Sequence, residues 1–424
     1  MWGESPVGEH LSENIGKTVS SLLPEAERFL CDIIRFPSTP GQERSAMEYV
    51  SAAFSGIATS VEQIPISNSL RDDEDYSDPI PDLTYHGRFN LRVVYRGAGG
   101  GRSLLANTHL DVVPASRGQK QPFEPVVEGG IIRGRGACDA KGQVATLFLA
   151  LMALREIGKP LGGDVIVHLV VEEEVGGNGT LAMIRRGEKA DGAIVMEPTE
   201  LNILPSVRGA VWFRVRCQGR AGHSGRPGDT VSALKMAREV MGILEAYHGN
   251  LLAQSKGIPL FDKFANPMPL TFGRLHAGDW PAASPDEAIL EGVLGFLPNK
   301  TRSQIMDEMR AAIDNCGDEW LRQHTEIKFT YRHDAHVLDQ GHPLVQQLLS
   351  CCREEGLPSE ISAMTASCDS WLYNNRLGIP TVVFGPGSLG CAHSGWEEIE
   401  MEQIADAART LVRFILNWCG TASS

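Results

Sequence analysis

The chain has 424 residues, 42% of them hydrophobic and 22% charged, the composition of a soluble globular protein long enough for two or three cores rather than one. Its 39 Lys and Arg against 53 Asp and Glu leave a net charge of −14, which speaks against a nucleic-acid partner, since affinity for a phosphate backbone is built from Lys and Arg. The N-terminal MWGESPVGEHLSENIGK lacks the parts of a secretory signal, the longest apolar run (Val144 to Leu154) is too short to span a bilayer, and the nine cysteines follow no disulfide framework, so the expected setting is the cytoplasm, with reduced thiols and no membrane partner.

Helical spacing of Phe29, Leu30, Ile33 and Ile34 predicts a helix from Pro24 to Phe36, stopped by Pro37, and a second helix runs roughly from Glu43 to Phe54. The segment from Ser67 to His86, with its RDDEDYSDPIPD, reads as a solvated surface loop. Asn90 to Tyr95 and Leu104 to His109 are strands. The helix from Val144 to Ile157 is apolar almost all round and therefore buried, and Asp164 to Val171 is a strand covered on both faces, with His168 as a core histidine. Ala193 to Met196 is a short strand running into Glu197.

After Ser206 the texture changes. Strands at 211–217, 270–275, 289–296 and 326–331, with helices from Thr230 to Tyr247 and from Thr301 to Leu321, give a β-α-β-β-α-β order. The parent pattern resumes near His342 with a helix from Pro343 to Glu355, a strand from Thr381 to Gly385 and a last helix from Met401 to Trp418. The expected fold is α/β: a catalytic domain with a mixed, mostly parallel sheet covered by helices, built from residues 1–205 and 334–424, and an inserted α+β ferredoxin-like domain over 206–333.

The chemistry gathers at strand ends. His109 and Asp111 are two apart and share a face, so the carboxylate can orient an imidazole that binds a metal. Asp139 lies among Gly134, Gly136 and Gly142, just ahead of the buried helix. Glu172, Glu173 and Glu174 end a buried strand, where three carboxylates repel one another unless a cation sits among them. With Glu197 and His393, two imidazoles and three carboxylates suit zinc, cobalt or manganese. If Asp139 bridges, each of two divalent ions receives three ligands and keeps room for a shared water. Glu173 and Glu174 point to opposite sides of an extended segment and need not do the same thing, so one of them, Glu173 in the set above, can remain off the metal as a general base. His333 and His336 have metal-like spacing but lie in a polar connection without a carboxylate set, and stay outside the site. Cys138 and Cys391 read as small buried fillers. The glycines near Asp139 lack the Gly-Lys-Ser/Thr ending of a phosphate cradle.

HLDVVP, GRGACDAKG, EEEVGGNGT, MEPT, GHSGRPGDT and GPGSLGCAHSGWEEI follow one another over most of the chain. In this order they resemble the M20 metallopeptidase family, in its branch of acetylornithine deacetylase and succinyl-diaminopimelate desuccinylase. The resemblance implies His109, Asp139 and Glu197 on one metal and Asp139, Glu174 and His393 on the other, with Glu173 as base and Asp111 orienting His109. It also implies that the inserted domain is a lid that forms a homodimer, and that His223 reaches the partner's site to bind the carbonyl oxygen. The lid departs from the usual pattern: Ala282 and Gly295 stand where many relatives carry an Asn and a carboxylate-binding Arg, leaving Arg208, Arg226 or Arg274 as candidate anchors. The expected activity is two-metal hydrolysis of an amide-type C–N bond in a small-molecule substrate, foremost removal of an acyl group from an amino acid or similar molecule, with zinc as the first choice of metal. An exopeptidase or dipeptidase and a hydrolase of non-peptide C–N bonds are the alternatives. An inactive binding protein comes last, because neither base nor ligand is missing.

Overall fold

Leu104–His109 and Val165–Val170 are apolar without alternation, and both are buried along their whole length in the middle of a nine-stranded sheet. In the computed structural model, which describes residues 6–223, 225 and 227–422, the strands run in the order Ser60–Pro65, Phe89–Tyr95, Val165–Val170, Leu104–His109, Ala193–Val195, Thr381–Val383, Ile203–Val207 and His336–Val337, with Ile361–Met364 beside Ile203–Val207. The centre is parallel: Leu104–His109 pairs with Val165–Val170 and Ala193–Val195, and Thr381–Val383 joins Ala193–Val195. Parallel strands bring their C-terminal ends to one edge, where ligands of open α/β sheets bind. Here that edge carries His109, the glutamate triplet and Glu197.

Helices Pro6–Ile34, Lys141–Ile157 and Met401–Trp418 pack on one another and share the sheet's core. The first begins well before the expected Pro24 and takes that proline into its interior. Ile15 and Val19 are buried in line with Ala26, Phe29, Leu30 and Ile33, and this continuous stripe outweighs the one backbone hydrogen bond that the proline removes.

The inserted body has a second sheet, antiparallel throughout, in the order Leu270–Ala277, Glu287–Phe296, Gly209–Gln218 and Thr325–His333. Val211, Phe213, Val215 and Cys217 alternate inward onto helices Ala233–Gln254 and Arg302–Asp314, forming a core of its own. The expected single helix from Thr301 to Leu321 is two: Arg302–Asp314 stops at Asn315, and Asp318 starts Glu319–Gln323 by accepting from the Leu321 N–H at 3.0 Å. Asn and Gly in the intervening Asn315-Cys316-Gly317 favour a turn over helix, and the cap settles where helix resumes.

The 67–86 segment is not the solvated loop its charges suggest. Asp75, Tyr76, Ser77 and Tyr85 are buried. The Asp75 carboxylate gathers the guanidiniums of Arg185 at 2.7 Å, Arg376 at 2.6 and 2.7 Å, and Arg302 from the inserted body. Three arginines distant in sequence converge on one acid, and no local pattern announces that. Among the described residues no helix is long and apolar enough to cross a membrane.

Candidate metal centre

His109 ends its strand almost fully buried, and its Nδ1 lies 2.9 Å from the Asp111 carbonyl oxygen and 3.5 Å from the Asp111 carboxylate. The nearer partner is thus the carbonyl, and the carboxylate has a further duty. It accepts the N–H groups of Glu173 and Glu174 at 3.2 and 3.1 Å, so one residue sets both the imidazole and the glutamate turn. With Nδ1 so engaged, His109 Nε2 faces Asp139 Oδ1 at 3.1 Å.

The Asp139 loop is held from behind by Glu397. Its Oε1 accepts from the N–H of Cys138 and of Asp139, both at 3.0 Å, while its other oxygen takes the buried Arg135 at 2.5 Å. Asp139 then turns its second oxygen to His393 Nε2 at 3.3 Å, and His393 Nε2 lies 2.9 Å from Glu174. Two triads result, His109–Asp139–Glu197 and Asp139–Glu174–His393, each with its ligand atoms within 4.8 Å of one another. They share Asp139, one oxygen towards each imidazole.

The glutamate triplet divides three ways. Glu172 sits at φ +63°, a left-handed turn that sends its carboxylate inward onto Arg88, the Tyr85 hydroxyl at 2.7 Å and Asn178 at 3.1 Å. Glu174 joins the second triad. Glu173 is buried beside the triads and belongs to neither.

Burial raises the carboxyls of Glu173 and Glu197 well above the usual range, and nearby carboxylates add to it. Glu174 rises to about 6 from burial and then from Asp139. Burial opposes the charge on His393, yet hydrogen bonds to Asp139 and Glu174 push it up to about 11. Glu197 Oε1 is buried with no hydrogen-bond partner. Crowded buried anions, an orphaned carboxylate oxygen and imidazoles held by acids are the state a divalent cation relieves. The N and O donor set fits zinc, cobalt or manganese.

Other expected residues lie elsewhere. His223 is exposed in a two-residue strand paired with Ala283–Ser284, and its Nδ1 accepts from the Gly225 N–H at 3.0 Å. It belongs to neither triad. Arg226 lies outside the described residues. Arg274 is exposed and paired with Glu291 at 2.9 Å. Arg208 is half-buried and donates to the carbonyls of Thr365 and, at 3.2 Å, Gly209. A Cβ at Gly295 would stand 2.6 Å from Arg208 Nη1, so Arg208 occupies the space the glycine leaves.

His168 is in the core against the Tyr373 hydroxyl at 2.9 Å, and His333 and His336 are buried outside both triads. Cys138 is buried and Cys391 only partly so. Two acids of the site carried no signal that was used. Glu397 sits in the GWEEI motif, where it is indistinguishable from Glu398. Asp369, a lone acid in SCDSW, accepts from Thr180 at 2.6 Å, keeps Oδ1 unpaired, and is pushed by burial to about 7.

Residues 105–417 match the description "Peptidase family M20/M25/M40". The chain is 30% identical over 346 residues to an N-formyl-4-amino-5-aminomethyl-2-methylpyrimidine deformylase of Bacillus subtilis, covering 75% of this chain and 79% of that protein. It is 26% identical over 349 residues to an acetylornithine deacetylase of Myxococcus xanthus, covering 78% and 85%. In fold it resembles a dinuclear metal binding M20 peptidase of Bacillus subtilis, with a TM-score of 0.64 at 14% identity over 95% of this chain and 100% of the other.

Proposed function

The chain belongs to peptidase family M20/M25/M40 and is a metal-dependent amidohydrolase; we propose that it removes a formyl or other short acyl group from the nitrogen of a small amine that lacks an amino-acid carboxylate. The observation that carries this reading is Gly295. Where relatives are expected to present a carboxylate-binding Arg, this lid has no side chain, and the neighbouring Arg208 donates to backbone carbonyls. A substrate without a carboxylate needs no such clamp, and the 30% identical relative is named for a formylated aminomethylpyrimidine.

In this proposal two divalent ions, zinc foremost and cobalt or manganese as alternatives, are held by His109, Asp139 and Glu197 and by Asp139, Glu174 and His393. When bound, such a pair acidifies water and polarises the scissile carbonyl. Asp111 orients His109, while Glu397 and Arg135 hold the Asp139 loop. Glu173, buried and outside both triads, takes the proton of the attacking water and returns it to the leaving nitrogen. Its raised pKa suits a group that must both accept and give a proton.

We further propose that residues 1–205 and 334–424 form the catalytic domain and 206–333 a lid that dimerises. The lid's separate core and the exposed edge strand Leu270–Ala277 support this. In the homodimer His223 reaches the partner's site as a donor to the substrate oxygen. The unpaired cysteines suit the cytoplasm.

The test is a substrate panel on metal-loaded protein: N-formyl heteroaromatic amines, N-formyl and N-acetyl amino acids, and dipeptides. The neutral N-formyl amines should lead in kcat/KM by about 10² or more, the range in which polar mismatches in a site are felt. Leading dipeptides or N-acyl amino acids would sink the proposal. One observation favours the second of these: among the described residues no carboxylate pairs with Arg208, which leaves it able to meet a substrate carboxylate.

A further inference from the structure

Cys138 stands one residue before Asp139, and Cys391 two before His393. Their sulfurs share one acceptor. Both thiols donate to the carbonyl oxygen of Ser388, at 3.3 and 3.2 Å, which brings the two sulfurs side by side. Gly387, at φ +85°, leaves the room that Cys138 Sγ fills; a Cβ there would stand 2.6 Å from the sulfur. Cys138 is buried while Cys391 is partly exposed, so an oxidant reaches the pair from the Cys391 side.

Each sulfur is tied through a short turn to a proposed metal ligand. The Cys391 carbonyl accepts from the Ser394 N–H at 3.2 Å and the Ser394 hydroxyl at 2.6 Å, closing the turn in which His393 takes φ +60°. On the other side, Glu397 clamps the N–H groups of Cys138 and Asp139 together. Movement of either sulfur is therefore passed to Asp139 or His393.

We propose that Cys138 and Cys391 are a modification site: a peroxide links them in a reversible disulfide, and closure dismantles the metal centre. The Cys391 sulfur attacks the peroxide O–O bond, giving a sulfenic acid and one water. The Cys138 sulfur then attacks that sulfur. The S–S bond forms, the S–OH bond breaks, and the hydroxyl leaves as a second water with the remaining thiol proton. The two cysteines are oxidised by two electrons and one peroxide is reduced to two waters. Bonded sulfurs stand closer than two sulfurs that share an acceptor, so closure draws the Asp139 and His393 loops together, and metal–ligand distances tolerate only about 0.2 Å. Addition of a thiol reverses the reaction.

The experiment titrates metal-loaded wild type and Cys391→Ser with hydrogen peroxide, then measures bound metal and maps peptides by mass spectrometry without reductant. Neither readout depends on which amide the enzyme cleaves. Wild type should yield a Cys138–Cys391 cross-linked peptide, release metal in proportion to it, and recover after dithiothreitol and fresh metal. Cys391→Ser, and Cys138→Ser as a check from the buried side, should hold their metal at the same dose. Wild-type protein whose Cys138 and Cys391 remain free thiols overturns the proposal, as does a cross-linked enzyme that keeps its metal.

Discussion

The strand ends around Asp139 and the lid face around Gly295 are built on opposite terms. At the strand ends His109 is engaged with Asp139 and Glu174 with His393, and even the supports Asp111, which accepts backbone N–H groups, and Glu397 are buried. In the lid, His223 and Ala282 are exposed and position 295 carries no side chain at all. The sheet therefore fixes the reaction, because shifting any one of its groups strands a buried charge. The lid presents His223 and Ala282 to solvent, where substitution costs little, while the buried Gly295 gives its space to Arg208 and has no charge to strand.

The largest break in that contrast is Asp139→Ala. Both triads fall to two side chains, so metal analysis should show two ions per chain in the parent and none in the variant, with activity down by about 10⁴ or more, the scale of losing an essential catalytic group. A variant that keeps one ion means Asp139 does not bridge. Glu173→Gln should keep both ions while kcat falls by about 10² to 10⁴, the usual share of general acid–base catalysis. Loss of metal there would falsify the division of the glutamate triplet.

That division marks how far the sequence alone could be read. The parallel centre of the sheet, the buried strands and helix, and the inserted β-α-β-β-α-β order were all visible, because apolar period and turn residues are local signals. The five residues of the triads were visible for a related reason: each stands at a strand end or in a glycine-rich loop. What stayed hidden depends on partners remote in sequence. Glu172 looks like Glu173 and Glu174 until Arg88 and Tyr85 are seen on it, and Glu397 looks like Glu398 until the Asp139 loop is seen against it. Asp75 sits in a segment whose composition is that of a solvated loop, yet it is buried under three arginines.

Asp75 joins the two regions, which makes it the next test. Burial alone would raise its carboxyl, but Arg376 and Arg302 outweigh this and hold it below its ordinary value. Asp75→Asn leaves the buried Arg302 guanidinium without its acid, while Arg185 keeps Asp73, and should cost roughly 3 kcal/mol of stability in denaturant unfolding. With the folded pKa depressed, this contribution is complete above the unfolded carboxylate pKa, about 4, and fades as the pH falls through the folded value. If the deficit of the Asp75→Asn variant persists unchanged at low pH, the charge is not what stabilises. His223→Ala tests the lid itself. It should keep metal and fold but lose about 10² to 10³ in kcat, the cost of one oxyanion donor. Mixing it with Glu173→Gln under subunit exchange should restore activity, since half the sites in a mixed dimer then lack neither group. No recovery despite proven exchange means His223 does not act across a dimer.

The smallest expected effect separates the two readings of the substrate. Arg208→Met keeps a long side chain beside Gly295 and removes the charge. It also strips donors from the carbonyls of Thr365 and Gly209, a cost of about 1 to 3 kcal/mol that falls on folding. Stability loss reduces the amount of active enzyme for every substrate alike, so the informative quantity is the ratio of kcat/KM values between an N-formyl amine and the matching N-formyl amino acid. If Arg208 is a strut, as its bonds to carbonyls indicate, that ratio moves by less than about threefold, since nothing in contact with either substrate has been removed. If it is instead a carboxylate clamp, the amino acid alone loses about 1.5 to 3 kcal/mol, the worth of a hydrogen bond to a charged group, and the ratio moves by at least tenfold. The lid is then not empty at position 295 but has moved its cation from Glu287–Phe296 to the start of Gly209–Gln218, and the contrast between a fixed site and a variable lid narrows to the choice of strand that carries the charge.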